Sequence, residues 1–264
     1  MLELHFSDAE LDERHDHITN FVREQVDAAG AEGAVLGLSG GIDSTLVAHL
    51  AVDALGAENV HGLVLPARVS GDDNMGDAER VARDLEISYD VIEIEPIVES
   101  LLEAYPEAEG DQMAVGNARA RVRGVLNYLV ANHESRLVLG TGNRSEGAVG
   151  YFTKYGDGAV DCHPIGNLYK AQVRQLARHV GVPEDLAAKP ATAELWEDQT
   201  DEDEMGMDYE TLDSILVTHI DGPLSAGVAA RELGVEVETI EKVRRMYEQS
   251  MHKRRVPPSP DPLE

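Results

Sequence analysis

Near the start of the chain, Ile18, Phe21, Val22 and Val26 recur at helical intervals, with Asp8 in front of them and Gly30 just past Ala29. One apolar stripe with those end signals predicts an amphipathic helix over 8–29. The pattern then changes. Ala34-Val-Leu-Gly-Leu38 is a short apolar run that passes into glycines, as a strand buried on both faces does. The same reading gives a helix over 44–55 stopped by Gly56, a strand over 60–65, a helix over 77–85, a strand around 89–94, a helix over 117–132 and a short strand over 136–140. From Lys170 onward the chain is expected to be mainly helical, interrupted by an acidic run at 197–204. The tail Val256-Pro-Pro-Ser-Pro-Asp-Pro262 cannot continue a helix and is expected to be extended.

Strands alternating with helices of this length predict an α/β fold: a doubly wound parallel sheet flanked by helices and joined by right-handed crossovers. Ligands of such sheets bind beyond the carboxyl ends of the strands, where the glycine loops at Gly37 and Gly140 fall. The whole chain, 1–264, is expected to form one domain: an N-terminal helix at 8–29, a core at about 33–196 and a helical C-terminal part at about 205–264.

Composition narrows the setting. With 264 residues, 42% of them hydrophobic, the chain can bury a full core. It has no run of 18 apolar residues, and its opening MLELHFSDAELDERHDH is too charged for a secretory signal, so a cytoplasmic protein with no membrane partner is expected. The lone Cys162 can form no internal disulfide, and no Cys-x-x-Cys is present to hold zinc or an iron–sulfur cluster. Acidic residues outnumber basic ones 50 to 22, for a net charge of −28, and only five of the basic residues are lysines. That surface repels nucleic acid and suits a halophile, whose concentrated salt screens the self-repulsion.

The chemical signal is Gly37-Leu-Ser-Gly-Gly-Ile-Asp-Ser44, between a predicted strand and a predicted helix. Glycines let backbone N–H groups turn toward an anion, Ser39 and Ser44 add hydroxyls, and the helix points its positive end at the same place, so phosphate is the natural guest. The loop lacks the Lys-Ser/Thr ending of the GxxxxGK[ST] loop. Asp43 would repel phosphate unless magnesium is shared between them. Gly140-Thr-Gly142 also follows a strand, but Ser145 stands where a dinucleotide fingerprint needs its third glycine, so that reading is rejected.

Ser39-Gly-Gly-Ile-Asp-Ser44 resembles the pyrophosphate loop of the ATP pyrophosphatases, which activate substrates as adenylates. Further blocks are similar to those of the ammonia-dependent NAD synthetases, in that family's order: Asn117-Ala-Arg-Ala-Arg-Val-Arg123, Leu139-Gly-Thr-Gly-Asn-Arg-Ser-Glu146, Gly150-Tyr-Phe-Thr-Lys-Tyr-Gly-Asp-Gly158, Leu168-Tyr-Lys170, Lys189-Pro-Ala-Thr-Ala-Glu-Leu-Trp196, Gln199-Thr-Asp-Glu-Asp-Glu204 and His252-Lys-Arg254. No glutaminase segment is recognised beside them. The resemblance implies an adenine nucleotide α-hydrolase-like fold with helical additions at both ends, and the reaction ATP + deamido-NAD + NH₃ → AMP + pyrophosphate + NAD, with Mg2+ as cofactor. It also implies a homodimer with the dinucleotide at the subunit interface, to which the N-terminal helix could contribute.

Carried over position by position, the resemblance assigns ATP to Gly37, Leu38, Ser39, Gly40, Gly41, Ile42, Asp43 and Ser44, together with Thr141, Lys170 and Thr192. It assigns the metal to Asp43 and Glu146, and deamido-NAD to Arg121, Lys154, Asp161, His252 and Lys253. No covalent nucleophile is implied, and Cys162 is read as a bystander. Glu146 could alternatively serve the dipole of a helix N-terminus, and Arg121, beside Arg119 and Arg123, could be part of a solvated face. His15 and His17 alternate on a predicted helix and are read as solvent-exposed rather than metal-binding. Two departures from the family pattern stand out. Ala159 and Val160 replace its glycine-rich continuation, which bears on the dinucleotide side, and Gly124 replaces a common methionine, which bears on packing.

Overall fold

A computed structural model describes residues 4–68, 72–192, 196 and 200–260. Parts of the sequence reading, 193–195, 197–199 with Gln199, and the end of the tail at 261–262, lie outside the described residues.

The first helix, α1 (Asp8–Ala29), has the predicted bounds because both ends are capped: Glu10 accepts from the Ser7 N–H at 2.8 Å, and Gly30 turns left-handed at φ 63°. It is followed by β1 (Ala34–Gly37), α2 (Ile42–Leu55), β2 (Val60–Val64), α3 (Asp72–Asp84), β3 (Ser88–Val91), α4 (Glu95–Ala104), α5 (Gln112–His133), β4 (Leu137–Leu139), α6 (Arg144–Val149) and α7 (Lys170–His179). The four strands are all parallel, in the order β3-β2-β1-β4. A single parallel bridge from Leu139 to Cys162 extends the β4 edge.

Alternate side chains serve the two faces of this sheet. Ala34 and Leu36 join α1, α2 and α7 in one apolar cluster, while Val35, Leu63 and Val138 join α4 and α5 in another. Burial on both sides explains why β1 and β4 read as unbroken apolar runs.

The structure corrects several predicted bounds. Helix α3 begins at Asp72, not 77, and α5 at Gln112, not 117: α3 opens on the polar residues Asp72, Asp73 and Asn74, and a glycine, Gly76 in α3 and Gly116 in α5, interrupts each pattern near its start; Asp111 marks the second start by accepting from the Ala114 N–H at 3.0 Å. The strand predicted over 89–94 ends at Val91. It is a mostly exposed edge, and the apolar residues beyond it lead into α4, an unpredicted helix with Pro96 in its first turn.

The C-terminal part is helical as expected: α8 (Glu184–Ala187), α9 (Asp201–Met205), α10 (Tyr209–Ile215), a π turn at Leu216–Ile220, α11 (Ala226–Leu233) and α12 (Val237–Gln249). Leu212, Leu216, Ile240 and Val243 form a separate apolar cluster with Ala148 and Val149 of α6. The chain then returns to α6. Arg254 donates to the carbonyls of Gly147 and Ala148 at 3.1 and 2.6 Å, and Lys253 donates to those of Gly150 and Phe152, each at 2.8 Å. These cations thus satisfy carbonyls at the end of a helix that has too few residues to satisfy them itself.

No described helix is long and apolar enough to cross a membrane. Cys162 is buried, and burial and Asp161 push its thiol up to about 11, which keeps it protonated near neutral pH. His15 is only half-exposed and lies 2.9 Å from Asp53, so it links α1 to α2, whereas His17 is exposed as read.

Candidate active site

The loop leaving β1 is held open for an anion by its own hydroxyls. Ser39 Oγ accepts from the Gly41 N–H at 3.3 Å and lies 3.1 Å from Ser44 Oγ, while Thr45 Oγ1 donates to the Gly41 carbonyl at 2.8 Å. Gly40 has φ 73°, and a Cβ there would fall 2.3 Å from the Asn74 carbonyl oxygen, so only glycine lets α3 lie across the loop. Gly41 is the N-cap of the buried, 14-residue α2, whose N-terminus therefore faces the loop.

Three elements bring charge to this point. Lys170, the first residue of α7, is 1% exposed; its Nζ donates to Asp43 Oδ2 at 2.5 Å and to Glu146 Oε1 at 3.2 Å, and lies 5.0 Å from the centre of the Tyr209 ring. Asn143, the N-cap of α6, donates from Nδ2 to Asp43 at 2.9 Å and accepts from the Glu146 N–H at 3.0 Å. Glu146 therefore does serve the start of a helix, and it also faces the lysine. Tyr209 donates to Asp201 at 2.8 Å and lies 3.3 Å from Glu146.

Burial, then Asp43 and Asp201, push the Glu146 carboxyl up to about 7 against the pull of Lys170. Burial by itself would lower Lys170, but Asp43 and Glu146 hold its ammonium above the ordinary lysine range. Three carboxylates thus face one ammonium, and the cluster carries more negative charge than the lysine offsets.

These groups border a cavity of about 470 Å³ that extends from the loop to the wall at Phe152 and Asp157. Thr141, Thr192 and Lys253 border it too, so every residue read as a nucleotide or metal contact except Gly40, which is buried under α3, shares one chamber. The deamido-NAD assignments divide. Lys253 reaches the cavity, whereas Arg121, Lys154 and His252 form a chain beside it: Arg121 donates to the Lys154 carbonyl at 3.3 Å, and Lys154 Nζ donates to the His252 carbonyl at 2.8 Å. Asp161 is occupied elsewhere, accepting from the Val138 N–H at 2.8 Å and the Tyr128 hydroxyl at 3.1 Å, which ties the 160s to β4.

Gly140 and Gly142 act as spacers, packed against by His163, and Gly140 by Val160 as well; they form no dinucleotide turn. Val160 borders the cavity, so this departure from the pattern touches the ligand space. Gly124 does as well: α5 passes so close to the Gly156 carbonyl that a Cβ there would lie 3.1 Å from it.

Asn143, Asp157, Asp201 and Tyr209 were not singled out as site residues by sequence reasoning. Asp157 stood inside a quoted block, and Asn143 is recognisable as an N-cap three residues before Glu146. Asp157 accepts from the Thr153 N–H at 2.9 Å; its carboxyl, ringed by protein yet open to the cavity, is raised by burial.

The NAD synthase family model matches residues 15–257. The NH(3)-dependent NAD(+) synthetase of Halobacterium salinarum is 62% identical over 259 residues, covering 98% of this chain and 97% of that protein. Among solved structures, an NMN synthetase from Francisella tularensis superposes with a TM-score of 0.84 at 35% identity, covering 97% of this chain and 100% of that one. The NH3-dependent NAD synthetase of Campylobacter jejuni superposes with a TM-score of 0.79 at 29% identity, covering 95% and 99%. With its loop, its Asp43–Lys170–Glu146 cluster and a match over nearly its whole length, the chain belongs to the NAD synthase family.

Proposed function

We propose that this chain makes NAD from deamido-NAD, ATP and ammonia through an adenylated intermediate, releasing AMP and pyrophosphate. The observation that carries this reading is the convergence of Asp43, Glu146 and Lys170 on the 37–44 loop inside one cavity. The loop and the N-terminus of α2 bind the ATP phosphates. Lys170, released from Asp43 as phosphate arrives, follows the charge that grows on the leaving pyrophosphate.

Asp43 and Glu146 fit a divalent cation: two oxygen donors already converge on one positive group, and the cluster's surplus negative charge leaves room for more. We assign Mg2+ to them; when bound, it offsets phosphate charge. Asp157, with its raised carboxyl facing the cavity, is placed to take a proton from incoming ammonium before ammonia attacks the acyl carbonyl.

A homodimer fits the exposed apolar residues Ile97 and Leu101 on α4, Tyr105 just past its end, and Val125 and Leu129 on α5, two helices that pack together. Arg121 continues the α5 stripe one turn earlier, so a second copy covering this face would lie next to the proposed dinucleotide contacts. The sequence reading gave part of this contact to α1, but α1 has no large exposed apolar residue.

The test is AMP formation with deamido-NAD or nicotinic acid mononucleotide as acceptor, at equal ammonium. A higher kcat/KM with deamido-NAD is expected, because the relative at 62% identity is named for NAD; a preference for the mononucleotide would place the chain with the Francisella neighbour instead.

The −28 net charge supports a protein adapted to concentrated salt. Its melting temperature is expected to rise from low to molar KCl as self-repulsion is screened, and a flat or falling series would overturn that adaptation.

A further inference from the structure

Lys170 and Glu146 lie on different helices, so their meeting depends on how the starts of α6 and α7 are joined. The join is a buried polar relay. The Lys170 N–H donates to Ser145 Oγ at 2.9 Å, the Ser145 hydroxyl donates to Asp213 Oδ1, and the Ala171 N–H donates to Asp213 Oδ2 at 2.9 Å. Ser145 and Asp213 are both fully buried, and Asp213 comes from α10 in the C-terminal cluster. Two N–H groups at the start of α7, which no helical carbonyl can satisfy, are thus capped by side chains from two other helices. Ser145 immediately precedes Glu146, and Lys170 itself supplies the first of those N–H groups.

We infer that Asp213, acting through Ser145, is a positioning residue that sets the distance between the Lys170 ammonium and the carboxylates of Glu146 and Asp43. The carboxylate is the group suited to the task. It accepts from a hydroxyl and an N–H at once, and it fixes the direction of the Ser145 hydroxyl so that Ser145 Oγ remains free to accept from Lys170. An amide accepts through one oxygen only, which leaves one of the two donors unmet. This inference rests on the NAD-forming reading of the site.

The experiment compares wild type with Asp213→Asn, Ser145→Ala, the double variant and Ser145→Thr, measuring kcat and KM for deamido-NAD-dependent AMP release alongside thermal melts. Each of the first two is expected to lower kcat by about 10- to 100-fold, with KM for ATP nearly unchanged, because a small displacement of a charged group acts on the transition state. The double variant should be no slower than the slower single, since the two residues form one relay. Ser145→Thr, which keeps the hydroxyl, should stay within a few-fold of wild type. Wild-type kcat in both single variants, or losses that multiply in the double, would overturn the inference, whatever happens to the melting temperature. Ser145→Ala removes a single oxygen from a helix and decides the matter even where Asp213→Asn does not fold. If wild type itself forms no AMP from deamido-NAD, it is the reading of the reaction that fails.

Discussion

Lys170→Met is expected to reduce AMP release by about 10²–10³-fold, the cost of removing one preorganised group that faces developing charge. The ammonium touches both Asp43 and Glu146 and is 1% exposed, so water cannot replace it. Stability should fall as well. Removing one partner of a buried pair costs about 3–5 kcal/mol, which for a chain of this length is a drop of about 10 °C in Tm.

The pH dependence of that drop identifies its cause. In wild type, burial and the neighbouring carboxylates already raise Glu146 to about 7 from its ordinary 4.5. A carboxyl raised in the folded state favours folding at low pH, and that favour is lost as pH rises from 4.5 through 7. Without the lysine the folded value rises further and the window extends upward, so the Tm of Lys170→Met should decline more steeply than that of wild type between pH 6 and 8. Melts at several pH values read this directly, and parallel curves would show that the carboxylates do not depend on Lys170 for their charge.

Asp43→Asn should separate chemistry from folding. The amide oxygen can still accept from Asn143, and Lys170 keeps Glu146, so the melting temperature should stay within a few degrees of wild type. Pyrophosphate release should nevertheless fall by about 10²–10³-fold, because a neutral amide holds neither a divalent cation nor the lysine against the phosphates. The assay is run at saturating magnesium with deamido-NAD present. Near-normal release would remove Asp43 from the mechanism.

Legibility in the sequence follows the range of the interactions. The strand–loop–helix at 34–55 could be read because glycines, hydroxyls and an apolar run lie within a few positions of one another. The starts of α3 and α5 could not, since α3 opens on polar residues and a glycine, Gly76 or Gly116, interrupts each helix near its start. The relay through Ser145 and Asp213 spans 68 residues, and the contact of Asp43 with Lys170 spans 127, so neither leaves a local pattern. Lys170 was found only because a resemblance named it; Tyr209 and Asp213, on a short helix of mixed composition, carry no local signal and were not singled out. Asp161, carried over as a ligand contact, also has a structural part that the sequence did not signal: it ties a loop to β4.

The return of the chain to α6 ties activity to the order of synthesis. Three of the four strands and the phosphate loop lie in the first half of the chain and can assemble as they leave the ribosome. The wall at Gly150 and Phe152, however, waits for Lys253 to meet its carbonyls, and the end of α6 waits for Arg254. A nascent chain arrested before residue 250 would therefore own a nucleotide loop without a finished chamber around it.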